Sequence, residues 1–146
     1  VANPKVKRLA RERAVQFLFG LEFTQYNWAA ALDGFWEENN ARPTVRQYAD
    51  RLIQGVCDAR EDLDAEIVAS VENWTPDRVG RIEASIIRVA LYEMRYMPDV
   101  PNSVAINEAI EVTKRFGAEE APRFVNGVLD RLRRKIENTP ATNPSA

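Results

Sequence analysis

The sequence of 146 residues contains no histidine and only one cysteine, Cys57. Those two shortages remove several chemistries together. Without histidine the Ser-His-Asp and Cys-His nucleophile arrangements cannot be assembled, and no nitrogen and sulfur ligand set for zinc can be drawn. A lone cysteine makes no internal disulfide; Cys57 stands among Ile53, Val56 and Leu63 and reads as a small core residue. None of the serines is followed by lysine at the Ser-x-x-Lys spacing, and no glycine-rich phosphate loop is present. Adjacent carboxylates such as Glu37-Glu38 and Glu119-Glu120 point about 100° apart on a helix, which suits solvated surface charge better than an acid-base pair. The chain therefore reads as a protein that is not an enzyme and needs no cofactor or metal.

Long apolar runs are missing too. No stretch approaches the roughly 18 residues that a membrane span requires. Residues 1–13 are basic but lack the apolar segment of a signal peptide, so a soluble, cytoplasmic protein is expected. The net charge of -2 and pI near 5.3 are not those of a uniformly basic nucleic-acid binder. The average conceals a polarised distribution, however. Lys5, Lys7, Arg8, Arg11 and Arg13 crowd the first thirteen residues with Glu12 as the only acid, whereas Glu61, Asp62, Asp64 and Glu66 gather in the middle. One basic patch on an acidic body follows.

Glycine and proline number six and eight, and they sit mostly where periodic apolar stretches stop. This pattern, with no strand-like alternation, predicts an all-α fold: a compact bundle of about seven helices over 5–24, 28–40, 44–60, 62–73, 81–97, 102–116 and 120–137. Residues 1–137 form one domain in this reading, and 138–146, with two prolines and small polar residues, form a disordered tail. Gly80 followed by Glu83 resembles a capping box that has lost its hydroxyl, with Thr75-Pro76 as an alternative start for the same helix. Pro98 stops that helix, and Gly117 suits a left-handed stop for the next. On a helical wheel Ala105, Ile106, Ala109, Ile110, Val112 and Phe116 share one arc, with Asn107, Glu108, Glu111, Lys114 and Arg115 opposite. In the fifth helix Ile82, Ile86, Ile87, Val89, Ala90, Leu91 and Met94 surround the axis, which marks it as the central helix.

Two surfaces suggest a ligand. On the first helix Arg8, Arg11, Val15 and Phe19, spaced by three and four, form a stripe that starts cationic and ends aromatic, while Ala10, Ala14, Phe17, Leu18 and Leu21 face the core. Such a stripe suits single-stranded RNA, whose phosphates attract guanidinium groups and whose unstacked bases lie on aromatic rings. A solvated charged face with a core phenylalanine is the plainer alternative. On the last helix Phe124, Val125, Val128, Leu129, Leu132 and Ile136 make the apolar face, with Arg123, Asn126 and Arg134 outside it. Phe124 lies at its edge, so it is either core or an exposed stacking platform.

The stretches Arg88-Val-Ala-Leu-Tyr-Glu-Met, Pro98-Asp-Val-Pro, Val104-Ala-Ile-Asn-Glu-Ala-Ile-Glu, Lys114-Arg-Phe-Gly and Phe124-Val-Asn-Gly-Val-Leu-Asp resemble, in order and spacing, the C-terminal half of the NusB family. Ala10-Arg-Glu-Arg-Ala-Val-Gln-Phe-Leu-Phe is similar to that family's arginine-rich first helix. The resemblance is weakest between about residues 27 and 74. It implies two packed three-helix groups with an extra helix, and a transcription antitermination function. The implied partners are single-stranded boxA RNA, the ribosomal protein NusE and the RNA polymerase antitermination complex, notably on ribosomal RNA operons. Some members also form homodimers that would cover the RNA surface.

By position, the resemblance implies RNA contacts for Lys7, Arg8, Arg11 and Phe19 on the first helix and for Arg123, Phe124 and Asn126 on the last. Glu83 and Glu120 match acidic positions expected to face the ribosomal protein. Phe19 stands where the family often has tyrosine, and Leu9 where some members have a further arginine. Two other readings are the NusB-like domain of an RNA methyltransferase, whose catalytic domain has no counterpart after residue 137, and a purely protein-binding helical scaffold.

Overall fold

A computed structural model describes residues 3–24, 27–75 and 79–139. Within them lie seven helices and no strand: α1 (Pro4–Leu21), α2 (Trp28–Glu38), α3 (Pro43–Asp58), α4 (Arg60–Ser70), α5 (Arg81–Tyr96), α6 (Asn102–Phe116) and α7 (Ala121–Asn138). Local chemistry accounts for most of the boundaries. Asn3 caps α1 by accepting from the Val6 amide at 2.9 Å, and Pro4 occupies the first turn, where a missing amide hydrogen costs nothing. Asn27 caps α2 through the Ala29 amide at 2.9 Å. The single residue Ala59 turns the corner between α3 and α4, and α5 stops at Tyr96, ahead of Pro98.

Some boundaries differ from the sequence expectation. The first helix, expected to reach residue 24, ends at Leu21, because Glu22, Phe23 and Thr24 donate to the carbonyls three residues back and tighten the chain into turns. The fourth, expected over 62–73, runs Arg60–Ser70; Asn73 adopts φ 58, a left-handed conformation that cannot continue a helix. Gly117 also departs from expectation. Its φ of -90 is not left-handed, and the need for glycine is steric: a side chain there would meet a Glu83 carboxylate oxygen at 2.8 Å and the Thr113 methyl and carbonyl at 3.0 Å. The alternative start at Thr75-Pro76 leads into residues 76–78, outside the described residues, and α5 begins after Gly80. The helical part of the expected tail extends to Asn138, and 140–146 lie outside the described residues.

Helix α5 is the centre of the bundle, packing against α1, α3, α4, α6 and α7. Its Ile86, Ile87, Val89, Ala90 and Leu91 are all buried, and burial of each large aliphatic side chain is worth about 1.5–3 kcal/mol. The N-terminal group α1–α3 lies on one side and α6–α7 on the other, with α5 completing the second three-helix group and α4 bridging the two. A smaller apolar cluster of Ala10, Trp36, Val45 and Ala49 seals α1 against α2 and α3, and Leu9 packs on it. Cys57 is half-buried against the main core, and burial pushes its thiol up to about 11.

Candidate nucleic-acid interface

The basic start of α1 divides into surface and interior within four residues. Lys7 is half-buried with its ammonium 5.6 Å from the centre of the Tyr48 ring. Arg8 is exposed; its Nε donates to Glu108 Oε2 at 2.9 Å, and that hydrogen bond raises the guanidinium pKa. Arg11 corrects the expected cationic stripe. It is only 3% exposed, and its Nε and Nη2 donate to the two carboxylate oxygens of Glu93, each at 2.8 Å. Burial opposes the charge on Arg11, but Glu93 outweighs it and the pKa is raised. The Tyr48 hydroxyl donates to the same carboxylate at 2.7 Å, and burial together with Glu93 pushes the phenol pKa up. Val15 is buried as well, so the stripe from Arg8 to Phe19 is not a continuous outer surface.

The reason lies in the helix itself. Arg11, Ala14 and Leu18 are spaced as i, i+3 and i+7 and share a buried face. An arginine there must meet an acid, and α5 supplies Glu93 from among its apolar residues. Glu93 follows the apolar run Val89-Ala90-Leu91 and precedes Met94 in α5, the available sequence signal for this pair. The same logic corrects Glu108, placed on the outer arc of its helix by the wheel: it is buried between Arg8 and Arg11.

The second candidate group lies at the start of α7. Arg123, Phe124 and Asn126 are exposed, the Phe124 ring residue to 39%. Phe124 borders two grooves, one lined with Glu119, Glu120, Pro122 and Arg123, the other with Val71, Glu72, Asn73 and Val79. Glu120 is exposed in the first of these, beside the residues assigned to RNA. Glu83 is a correction. It is 5% exposed, one carboxylate oxygen accepts from the Ala118 amide at 3.2 Å, and the other lies against Gly80, whose φ of 95 favours glycine in any case. Its carboxylate locks the start of α5 to the α6–α7 connection, where it has no open face for a partner.

Phe19 is half-buried and meets Phe23 edge-on, ring centres 5.0 Å apart, and the Arg81 guanidinium sits 5.6 Å from the Phe23 ring centre. Phe23, which sequence reasoning did not single out, is the most exposed large apolar residue described. Helices α1 and α6 run parallel, since Arg8 pairs with Glu108 and, further along both, Glu12 pairs with Arg115. Lys7 therefore lies near the start of α6, beside Pro101 and Val104, Arg8 lies midway along it against Glu108, and Arg123, Phe124 and Asn126 follow its end. The structure does not collect the two groups in one pocket. It separates them along α6, whose second half, from Glu108 to Phe116, spans about 12 Å. Between them an open groove is lined by Arg8, Asn107, Glu108, Glu111 and Lys114.

Among the described residues no group of histidine, cysteine and carboxylate side chains could hold a metal ion, and no helix is long and apolar enough to cross a membrane.

The chain is 42% identical over 130 residues to the transcription antitermination protein NusB of Myxococcus xanthus, covering 86% of this chain and 93% of that protein. It is 37% identical over 133 residues to the Bacillus subtilis protein of the same name, covering 91% and 98% respectively. The structure of T. maritima NusB superposes with a TM-score of 0.79 at 29% identity, over 92% of this chain and 94% of that one. A crystal structure of antitermination factors NusB and NusE in complex with dsRNA shares the fold, with a TM-score of 0.82 at 22% identity over 91% and 99% of the two chains. Residues 8–134 match the NusB family from the first helix into the last, and with relatives matched over nearly their whole length, the chain belongs to the NusB family.

Proposed function

We propose that this chain is a cytoplasmic, non-enzymatic antitermination factor that binds boxA-type RNA jointly with the ribosomal protein NusE and joins an RNA polymerase antitermination complex serving ribosomal RNA operons. The observation that carries the RNA part is Phe124: an aromatic ring left 39% exposed on the first turn of α7, flanked by the exposed Arg123 and Asn126. Rings so placed stack unpaired bases, and the neighbouring guanidinium meets phosphate. NusB and NusE occur together with RNA in a structural relative, which supports the joint reading. Because that relative holds a duplex and stacking requires unpaired bases, single-stranded and duplex RNA are both informative probes.

The test is a fluorescence-anisotropy titration of a boxA single strand and its duplex, with and without NusE, over a salt series. Lys7, Arg8 and Arg123 as phosphate contacts predict a slope of log affinity against log salt near -2, at roughly -0.7 per contact on a single strand. Arg8→Gln should make it shallower by about 0.7. A slope near zero, or no preference for the single strand, would reject the stacking interface.

Glu120 carries the partner half of the proposal. It is exposed beside Arg123 and Phe124, so a basic ribosomal protein seated there would lie next to the RNA. Glu120→Lys should slow association with NusE, an effect that fades as salt rises, while RNA binding by the isolated chain stays the same or improves. Stopped-flow association rates that match the wild type would remove Glu120 from that contact.

A further inference from the structure

The seam between α1 and α6 is a double layer of charge. Glu12 and Glu108 form its floor, with side chains 8% and 12% exposed, and each holds an outer arginine of the opposite helix: Glu12 holds Arg115 at 3.1 Å, and Glu108, which also meets the buried Arg11 at 3.7 Å, holds Arg8 at 2.9 Å. Those arginines are 62% and 52% exposed. The outer acid between them, Glu111, is matched by Lys114 at 3.2 Å. Cations therefore form the outer layer although the seam as a whole carries balanced charge.

We propose that Arg115 is a phosphate-binding residue that joins the two ends of the interface, with Glu12 as its positioning residue. The inference rests on the RNA-binding reading above and adds to it the path of the strand, along α6 from Arg8 to Phe124. Three features carry it. Arg115 occupies the second half of α6, between the otherwise separated groups. Its contacts with Glu12 run through Nη1, and most of the side chain remains exposed, so the rest of the guanidinium fork can meet a phosphate bidentately. The guanidinium also lies 5.3 Å from the Phe116 ring centre, so ring and carboxylate together restrict its rotamers before any ligand arrives. Pre-ordering of this kind lowers the entropy lost on binding.

Arg115 is largely exposed but Glu12 beneath it is buried, so Arg115→Gln, which keeps an amide donor for that carboxylate, should fold with a modestly lowered melting point. In the titration above, this variant should bind the boxA single strand more weakly, with a salt slope shallower by about 0.7. Equivalently, the ratio of wild-type to variant affinity should shrink about five-fold over a roughly ten-fold rise in salt. Arg115→Lys should recover the slope but only part of the affinity, because an ammonium keeps the charge and loses the fork. Arg51→Gln, an exposed cation on α3, is the control for net charge. A normal slope for Arg115→Gln alongside a reduced one for Arg8→Gln would overturn the proposal and leave the RNA-binding reading intact. An equal effect from Arg51→Gln would also overturn it, and failure of the wild type to bind RNA with or without NusE would defeat both.

Discussion

Replacing Arg11 by alanine should destabilise the protein by about 3–5 kcal/mol, the penalty for stripping one partner from a buried ion pair. Glu93, 1% exposed, would be left with only the Tyr48 hydroxyl as a donor. For a chain of this size the thermal midpoint should fall on the order of 10 °C, at roughly 2–4 °C per kcal/mol. The double variant Arg11→Met with Glu93→Met should be far less damaging, since two apolar side chains of similar length remove both charges together. Calorimetry on the single and double variants decides the matter. If Arg11→Ala keeps its midpoint and instead loses RNA affinity, the ion pair is not structural and Arg11 returns to the RNA surface.

Phe124→Ala should show the opposite signature. Loss of one stacked base costs about 1–3 kcal/mol of binding, so RNA affinity should drop roughly ten-fold while the midpoint barely moves. Phe17→Ala is the appropriate control, because Phe17 is buried and edge-on to Phe35 at 5.3 Å. That truncation should cost about 3–5 kcal/mol of stability. Phe116 is a poorer control than its place on the helical wheel suggests, being only half-buried beneath Arg115. Should Phe124→Ala melt as early as Phe17→Ala, the ring is a core element and the interface loses its stacking platform.

The two variants mark where sequence reading succeeded and where it failed. Phe124 was half legible: a residue at the edge of an apolar arc has only two fates, the residues alone left both open, and the family resemblance tipped it towards the exposed one. Arg11 was misjudged because arginine at a helix start reads as solvated charge unless a buried acid is known to face it. The acid is 82 residues away in the chain, and no local rule connects them. Glu83 failed similarly: its position in the first turn of α5 suggested a cap and its family position a partner contact, whereas its buried carboxylate accepts from the Ala118 amide, brought alongside by the α6–α7 connection. Arg115 was set aside as a plain outer-face residue, because nothing in α6 itself reveals that Glu12 lies beneath it.

What the sequence determined by itself was local and periodic. Asparagine caps, Pro98 and the spacing of apolar residues establish the helices, since capping and amphipathicity depend on neighbours within one or two turns. The apolar girdle of α5 identified the central helix for the same reason. The family motifs, strongest after residue 88, pointed to the lineage. Only the tertiary structure decided which cations are available to a ligand. Arg8 and Arg11 are three residues apart on one helix, yet one is half in solvent and the other locked to Glu93. Helical spacing sets the angle between two side chains, but the charge that meets each one comes from whichever helix packs there, and that is a property of the assembled bundle.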